Sequence, residues 1–251
     1  PMDSGTLHLA GWDGNTHTSR SLFGGFTAAW ERELETMSVQ DAKTRKITLQ
    51  AKKLAILAQS SNELLNDAIA WEKLLGKALI DAVAWELDYQ LINGTGAGRP
   101  LGIINADSRV SVAKESSQTA ATIWYDNVVK MFARLHPSCF KNAIWIANPA
   151  TIPQLMALDY HESASALGSA LIGDSRYMVF RESDGRFSLF GIPCYFTEKC
   201  PTLGTEGDIV LVDPTQIAFG QRAEITVQAS SHAGFASDST YFRCLCRCDA
   251  M

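Results

Sequence analysis

The sequence predicts an α+β protein. Three observations carry that prediction: a long amphipathic helical stretch over residues 61–91, a glycine-rich turn directly after it, and short apolar strand-like runs that alternate with helical patterns further on. With 251 residues the chain can fill one large or two modest hydrophobic cores. Its 46% hydrophobic and 20% charged residues place it with ordinary globular proteins. No apolar run approaches about 18 residues and no charged-then-apolar leader is present, so neither a membrane span nor an export signal is expected.

The first element is a long hairpin over residues 6–48. It is strand-like and polar, and its apolar residues (Leu7, Leu9, Trp12, Phe23, Phe26, Trp30) have no helix to pack on. One arm carries Glu31, Glu33 and Glu35. The returning arm carries Lys43, Arg45 and Lys46. Opposite charges facing each other across a hairpin contribute about 0.2–1 kcal/mol per pair. A hairpin of this length is marginal alone in water, so it is expected to lie on a neighbouring subunit. Trp30, the three glutamates and the three basic residues are the expected assembly contacts.

The helix follows. Ser60 and Glu63 stand in S-x-x-E spacing, the pattern of a capping box. Leu64, Leu65, Ala68, Ile69, Trp71, Leu75, Leu79, Val83 and Trp85 then recur at steps of three and four, with no proline between them. An unbroken helix over residues 61–91 would be about 45 Å long, and a stripe of that length needs a sheet or second helix laid along it. The run Gly94-Thr95-Gly96-Ala97-Gly98-Arg99-Pro100-Leu101-Gly102 ends it. A phosphate cradle needs a strand before the loop and a helix N-terminus after it; here the order is reversed and the P-loop lysine is missing. The expected reading is a helix C-terminus at Gly94 followed by a reversal that uses positive φ.

Beyond residue 119 the pattern alternates. Residues 122–135 read as an amphipathic helix, 143–147 as a buried strand, and Asn148-Pro149 as the start of a further helix. Residues 160–174 are small and polar, a loop. Residues 186–197 read as strand, Gly-Ile-Pro turn, strand. Residues 209–212, 225–228 and 239–249 complete the strands. In the last of these, Cys244, Cys246 and Cys248 alternate, which sets their side chains parallel and about 6.6 Å apart on one face. That geometry suits packing on a sheet, since disulfides need convergent Cβ atoms and zinc sites need C-x₂-C-type spacing.

Motifs for chemistry are incomplete. His161-Glu162 lacks the second histidine of H-E-x-x-H, no G-x-S-x-G occurs, and His136 and Cys139 offer only a bare three-residue spacing. No catalytic, cofactor-binding or metal-binding residue is assigned. A net charge of −5 gives a field that disfavours phosphate, so sequence-specific nucleic-acid binding is not expected.

S-x-E-L-L-x-D over residues 61–67 and E-x-D-x-x-L-I-N-G-T-G-x-G-x-P-x-G-I over residues 86–103 resemble the major capsid proteins of tailed double-stranded-DNA bacteriophages. Ala28-Ala29-Trp30-Glu31 and residues 47–55 upstream, and 189–194, 207–213, 235–238 and 242–249 downstream, continue the resemblance in order. It implies a Hong Kong 97-type capsid fold: a long spine helix, an extended β-hairpin (E-loop), a peripheral domain and an axial α/β domain. The implied boundaries are 1–50 for the E-loop hairpin and lead-in strand, 51–119 for the peripheral domain with the spine helix, 120–219 for the axial domain and 220–251 for the returning peripheral strands. The chain is then expected to begin after the family's N-terminal arm.

The resemblance further implies a structural subunit, not an enzyme, that self-assembles as pentamers and hexamers into the icosahedral shell of a virion in the host cytoplasm. The shell would enclose DNA without sequence-specific recognition and without contacting a membrane. Portal, decoration or scaffolding proteins would be its other partners. Some E-loops cross-link through a lysine, and the Glu31–Glu35 arm offers none at the matching place. An encapsulin-like nanocompartment shell has the same fold and stands as the alternative; an α/β hydrolase-type enzyme stands behind it.

Overall fold

The computed structural model describes residues 2–12, 26–33, 39–41, 43–68, 70–156, 158, 179–181 and 187–251. In chain order the elements are β1 (Thr6–Trp12), β2 (Thr44–Gln50), β3 (Lys52–Ser61), α1 (Asn62–Asp67), α2 (Trp71–Asn93), α3 (Tyr125–Arg134), β4 (Ile144–Ala147), α4 (Ile152–Met156), β5 (Val179–Arg181), β6 (Phe187–Leu189), β7 (Ile192–Phe196), β8 (Ile209–Val212), β9 (Phe219–Ser230) and β10 (Ser239–Ala250). The expected mixture of helix and sheet is present. The loop expected over residues 160–174 lies outside the described residues.

Three sheets organise the chain. β1 and β2 form an antiparallel ladder with Leu7 opposite Leu49 and Trp12 opposite Thr44. β2 runs through one residue, Ala51, into β3, whose partner is the last strand of the chain. The order β3-β10-β9 is antiparallel throughout. A five-stranded mixed sheet, β5-β6-β7-β4-β8, contains the one parallel pair among the described strands, β4 with β7.

Each larger sheet has its own core. α2 lies on the β3-β10-β9 sheet, where Leu79 and Val83 meet Phe242, Cys244, Cys246 and Cys248, with Leu54, Ile56, Leu75 and Leu87 around them. Period-two alternation puts all three thiols on the helix side, as the spacing predicts. All six cysteines are free, and burial pushes the Cys248 thiol up to about 12, so it stays protonated at neutral pH. The second core gathers Trp145, Val128, Leu155, Leu189 and Ile192, with the Trp145 indole N–H donating to the Leu189 carbonyl at 3.1 Å.

The helix of residues 61–91 is not continuous. α1 ends at Asp67, Ala68 leaves helical geometry (φ −108°, ψ 88°), and α2 starts afresh at Trp71 for 23 residues, about 35 Å. Ser60 is not a capping residue either. Its hydroxyl accepts the Trp71 indole N–H at 3.0 Å, so it fixes the start of α2 against the end of β3. Ser61 holds the N-cap of α1 without a side-chain cap bond.

The helix does end at Gly94, for a different reason from the one expected. Gly94 has φ −59°, and the positive angles fall at Gly96 and Gly98. What excludes a side chain at Gly94 is proximity: a Cβ there would stand 2.2 Å from the Pro100 carbonyl oxygen and 2.4 Å from that of Gln90. Gly102 is under the same constraint, since its Cβ would stand 2.4 Å from the Gly94 nitrogen. The two backbones cross where only glycine fits. Between β6 and β7 the turn residues are Phe190 and Gly191, both at positive φ, whereas Ile192 and Pro193 already belong to β7.

Candidate assembly surface

The base of the hairpin is tied down by one lysine. Lys52 Nζ donates to the carbonyls of Gly96 (3.0 Å) and Arg99 (2.7 Å) and to Asp249 Oδ1 (3.1 Å). Asp249 Oδ2 in turn accepts the backbone N–H of Gln50 at 2.8 Å. The glycine-rich turn and the end of β10 therefore share one part-buried ammonium, and the end of β2 joins them through Asp249. The Asp249 side chain is only 6% exposed, and this ammonium is its ion partner. The turn offers carbonyl oxygens to a cation, the opposite polarity from a phosphate cradle. Asn105 adds two side-chain bonds to the carbonyls of Asn93 and Gly94 that α2 leaves open.

Beyond the paired strands the hairpin closes on Thr27 and Gln40. The Gln40 amide accepts the Thr27 N–H at 2.7 Å and donates to the Thr27 carbonyl at 2.8 Å, in the manner of a ladder pair. Trp30, Glu31 and Glu33 lie in the segment this contact encloses. Trp30 is 103% exposed and Val39 is 95% exposed. Glu35 lies outside the described residues.

The expected charge pairing across the hairpin is not what the register shows. Arg45 stands opposite Gly11 and Lys46 opposite Ala10. Lys43, Arg45 and Lys46 are all exposed, and Arg45 instead reaches Asp107 at 3.9 Å, an exposed pair of little energetic weight. Glu31 and Glu33 form no ion pair with any described residue. The structure thus brings the basic residues together on β2 and its lead-in, and leaves Glu31 and Glu33 beyond the Thr27–Gln40 contact.

Two further features escaped sequence reasoning. The Lys52–Asp249 pair joins positions 197 residues apart, and neither local pattern marks it. Lys199 forms the other link: its Nζ lies 2.6 Å from Asp88 and 4.5 Å over the Trp85 ring, while its carbonyl accepts from Asn93. It fastens the loop after β7 to α2.

His136 and Cys139 are linked through Ser138, whose hydroxyl lies 3.8 Å from the Cys139 sulfur. His136 Nδ1 faces Ser138 Oγ at 2.7 Å, and burial, with the Asp213 carboxylate beside it, raises the Cys139 thiol above its ordinary value. An activated thiol needs the opposite shift. Among the described residues no group of three or more His, Cys, Asp or Glu side chains is placed to hold a metal ion, and no helix is long and apolar enough to cross a membrane.

A chain with two modest cores, a hairpin that projects its largest aromatic into solvent, and an α2 outer face that exposes Leu74, Trp85 and Tyr89 is built as a subunit that associates. The chain belongs to the phage capsid family, whose sequence profile matches residues 4–251. It is a structural, shell-forming protein of the viral capsid. Its fold is similar to that of the capsid of an empty GTA particle computed with C5 symmetry: 17% identity, TM-score 0.68, covering 100% of this chain and 82% of that one. Proteins of Microbacterium phage Oxtober96 (12% identity, TM-score 0.61, covering 100% and 81%) and Mycobacterium phage Cain (16%, 0.57, covering 98% and 79%) share it. No curated protein matches the chain.

Proposed function

We propose that this chain is the major shell subunit of a tailed phage, assembling as pentamers and hexamers into a closed icosahedral shell around double-stranded DNA. The observation that carries the reading is the match to the phage capsid family over residues 4–251, nearly the whole chain. In this reading the fold is of the Hong Kong 97 type. α2 is the spine helix and the β1–β2 hairpin is the E-loop. Residues 51–119 and 220–251 form the peripheral domain, and 120–219 the axial domain that gathers at the ring axes. The C5 symmetry of the GTA particles supports ring contacts of the heterologous, closing kind.

The work of such a subunit is association rather than turnover. Each copy meets several neighbours, so single contacts stay modest while total burial reaches several thousand Å². Trp30, Glu31, Glu33, Glu35, Lys43, Arg45 and Lys46 are the hairpin residues assigned to that work. Portal, scaffolding and decoration proteins are the other partners, and the host cytoplasm is the place of assembly. Electron microscopy of the purified protein tests the reading. Closed isometric particles with fivefold vertices are expected, and a protein that stays monomeric under all assembly conditions would overturn it. Replacing residues 33–45 by a short Gly-Ser turn should leave a cooperatively melting subunit that no longer closes into shells.

A further inference from the structure

Phe235, in the turn between β9 and β10, is 91% exposed. The turn that carries it is well tied. Ser237 and Ser239 both donate their backbone N–H to the Gly234 carbonyl at 3.1 Å. The Ser239 hydroxyl accepts the Gln59 side-chain amide at 2.7 Å, and the Asp238 carboxylate accepts that of Asn62 at 2.6 Å. A Cβ at Gly234 would stand 2.1 Å from the Ser239 carbonyl oxygen, so only glycine lets the turn close this tightly. A large ring held out on an ordered turn has little freedom left to lose on burial, which is the economy of a preorganised contact. Nothing in the fold of one subunit uses that ring.

Beside the turn lies an open groove of about 760 Å³. It is lined by Leu57, Ala229, Ala233 and Tyr241 and also by the polar Gln228, Ser230 and Arg243. Leu57 is 65% exposed there. Arg243 donates to the Gln228 amide oxygen at 2.5 Å and has no ion partner among the described residues. Around the turn the signs are reversed. Residues 59–70 and 229–242 carry Glu63, Asp67 and Asp238 and no lysine or arginine. All three acids are exposed, and none forms an ion pair with a described residue.

The ring and the groove belong to one patch, since Ala233 lines the groove two residues before Phe235. A projecting ring beside a receiving groove is self-complementary across a twofold axis, where the same patch stands on both sides and each copy fills the other. The charges agree with that arrangement, because it brings an acid-only turn to a groove whose arginine lacks an ion partner.

We propose that two copies of the chain meet reciprocally through this end of the β3-β10-β9 sheet. Phe235 of each enters the Leu57–Tyr241 groove of the other, and Asp238 lies against the other copy's Arg243. The proposal rests on the shell reading and gives the contact a place in it. A cyclic ring is joined by heterologous contacts, so a reciprocal contact ties one ring to the next.

Disulfide linking tests it at positions that neither fill the groove nor line it. Ala55 lies on β3 two residues before Leu57, Ala236 follows Phe235, and both are exposed. A55C/A236C particles, mildly oxidised and run on denaturing gels, should give a dimer band and nothing larger, because a reciprocal pair closes on itself. Each single variant and the unaltered chain should give no band above the monomer. In a second measurement, F235S should lower the yield of closed particles on sedimentation at least about tenfold, with free rings in their place. Its thermal melt should match that of the unaltered chain, as expected for an exposed ring. Bands beyond the dimer would mean a heterologous contact, a dimer from A236C alone would mean that the turns meet each other, and either would overturn the proposal. So would the absence of any link, or an undiminished F235S yield; all four leave the shell reading intact. Failure of the unaltered chain to form any particle would sink the shell reading, and this contact with it.

Discussion

The two cores are built from chain in opposite ways. The core around Trp145 takes its side chains from residues 123–211, one continuous stretch whose strands and helices follow one another. The core under α2 joins residues 54–87 to residues 225–248, so the sheet beneath the helix cannot exist until the two ends of the chain meet. The first rests on an indole and several aromatic rings. The second rests on three small thiols that let the helix approach closely. Local order suits a unit that folds early; the distant closure carries the larger loop entropy. The second is also held by a charge, Lys52 with Asp249, at the point where its last strand ends.

That contrast can be broken or sharpened by substitution. The largest effect is expected at Trp145, which is fully buried: Trp145→Ala should cost about 3–5 kcal/mol. If the cores are separate units, calorimetry of this variant should split into two transitions, the lower one belonging to the mixed sheet. A profile that moves as one would show the cores melting together. Lys52→Met should cost about 3 kcal/mol, because it strands a buried carboxylate and frees the glycine-rich turn. Its signature would be a loss of hydrogen-exchange protection at Gln50 and in β10, with β4–β8 unchanged.

The thiols give a pH effect. Burial pushes Cys194 and Cys248 up to about 12 and Cys200 to about 11, from an ordinary value near 9.0. The unfolded chain ionises first, so it binds fewer protons than the folded chain across that gap. Stability should therefore be flat below pH 9 and fall between pH 9 and about 12. Cys248→Val should flatten that fall in a urea titration, and an unchanged slope would count against burial as the cause. The smallest effect belongs to the exposed Arg45–Asp107 pair: Arg45→Ala should move the melting midpoint by less than the equivalent of about 0.5 kcal/mol.

Periodicity made the helix, the buried strands and the inward row of cysteines legible, because each follows from spacing alone. The break at Ala68 was not legible. It goes with Trp71 reaching back to Ser60, a contact between elements that no helical pattern encodes. Gly94 was legible as a stop, but its cause was not, since close backbone approach depends on where Pro100 returns. The acidic and basic arms of the hairpin were legible as charge clusters. Their partners were not: register, set by Leu7 against Leu49, puts Arg45 opposite Gly11. Lys52 left no trace in the sequence because its partner lies at the other end of the chain.

The single residue between β2 and β3 leaves the hairpin no slack at its root. Ala51 donates its N–H to the Gly5 carbonyl at 2.9 Å, Gln50 on one side is bonded to Asp249, Leu49 is 1% exposed, and Lys52 on the other side is anchored. The paired strands beyond it form an arm of seven residues, about 24 Å, and a change of about 10° in its direction would carry the far end by about 4 Å. Fixing the root therefore fixes where the subunit presents Trp30.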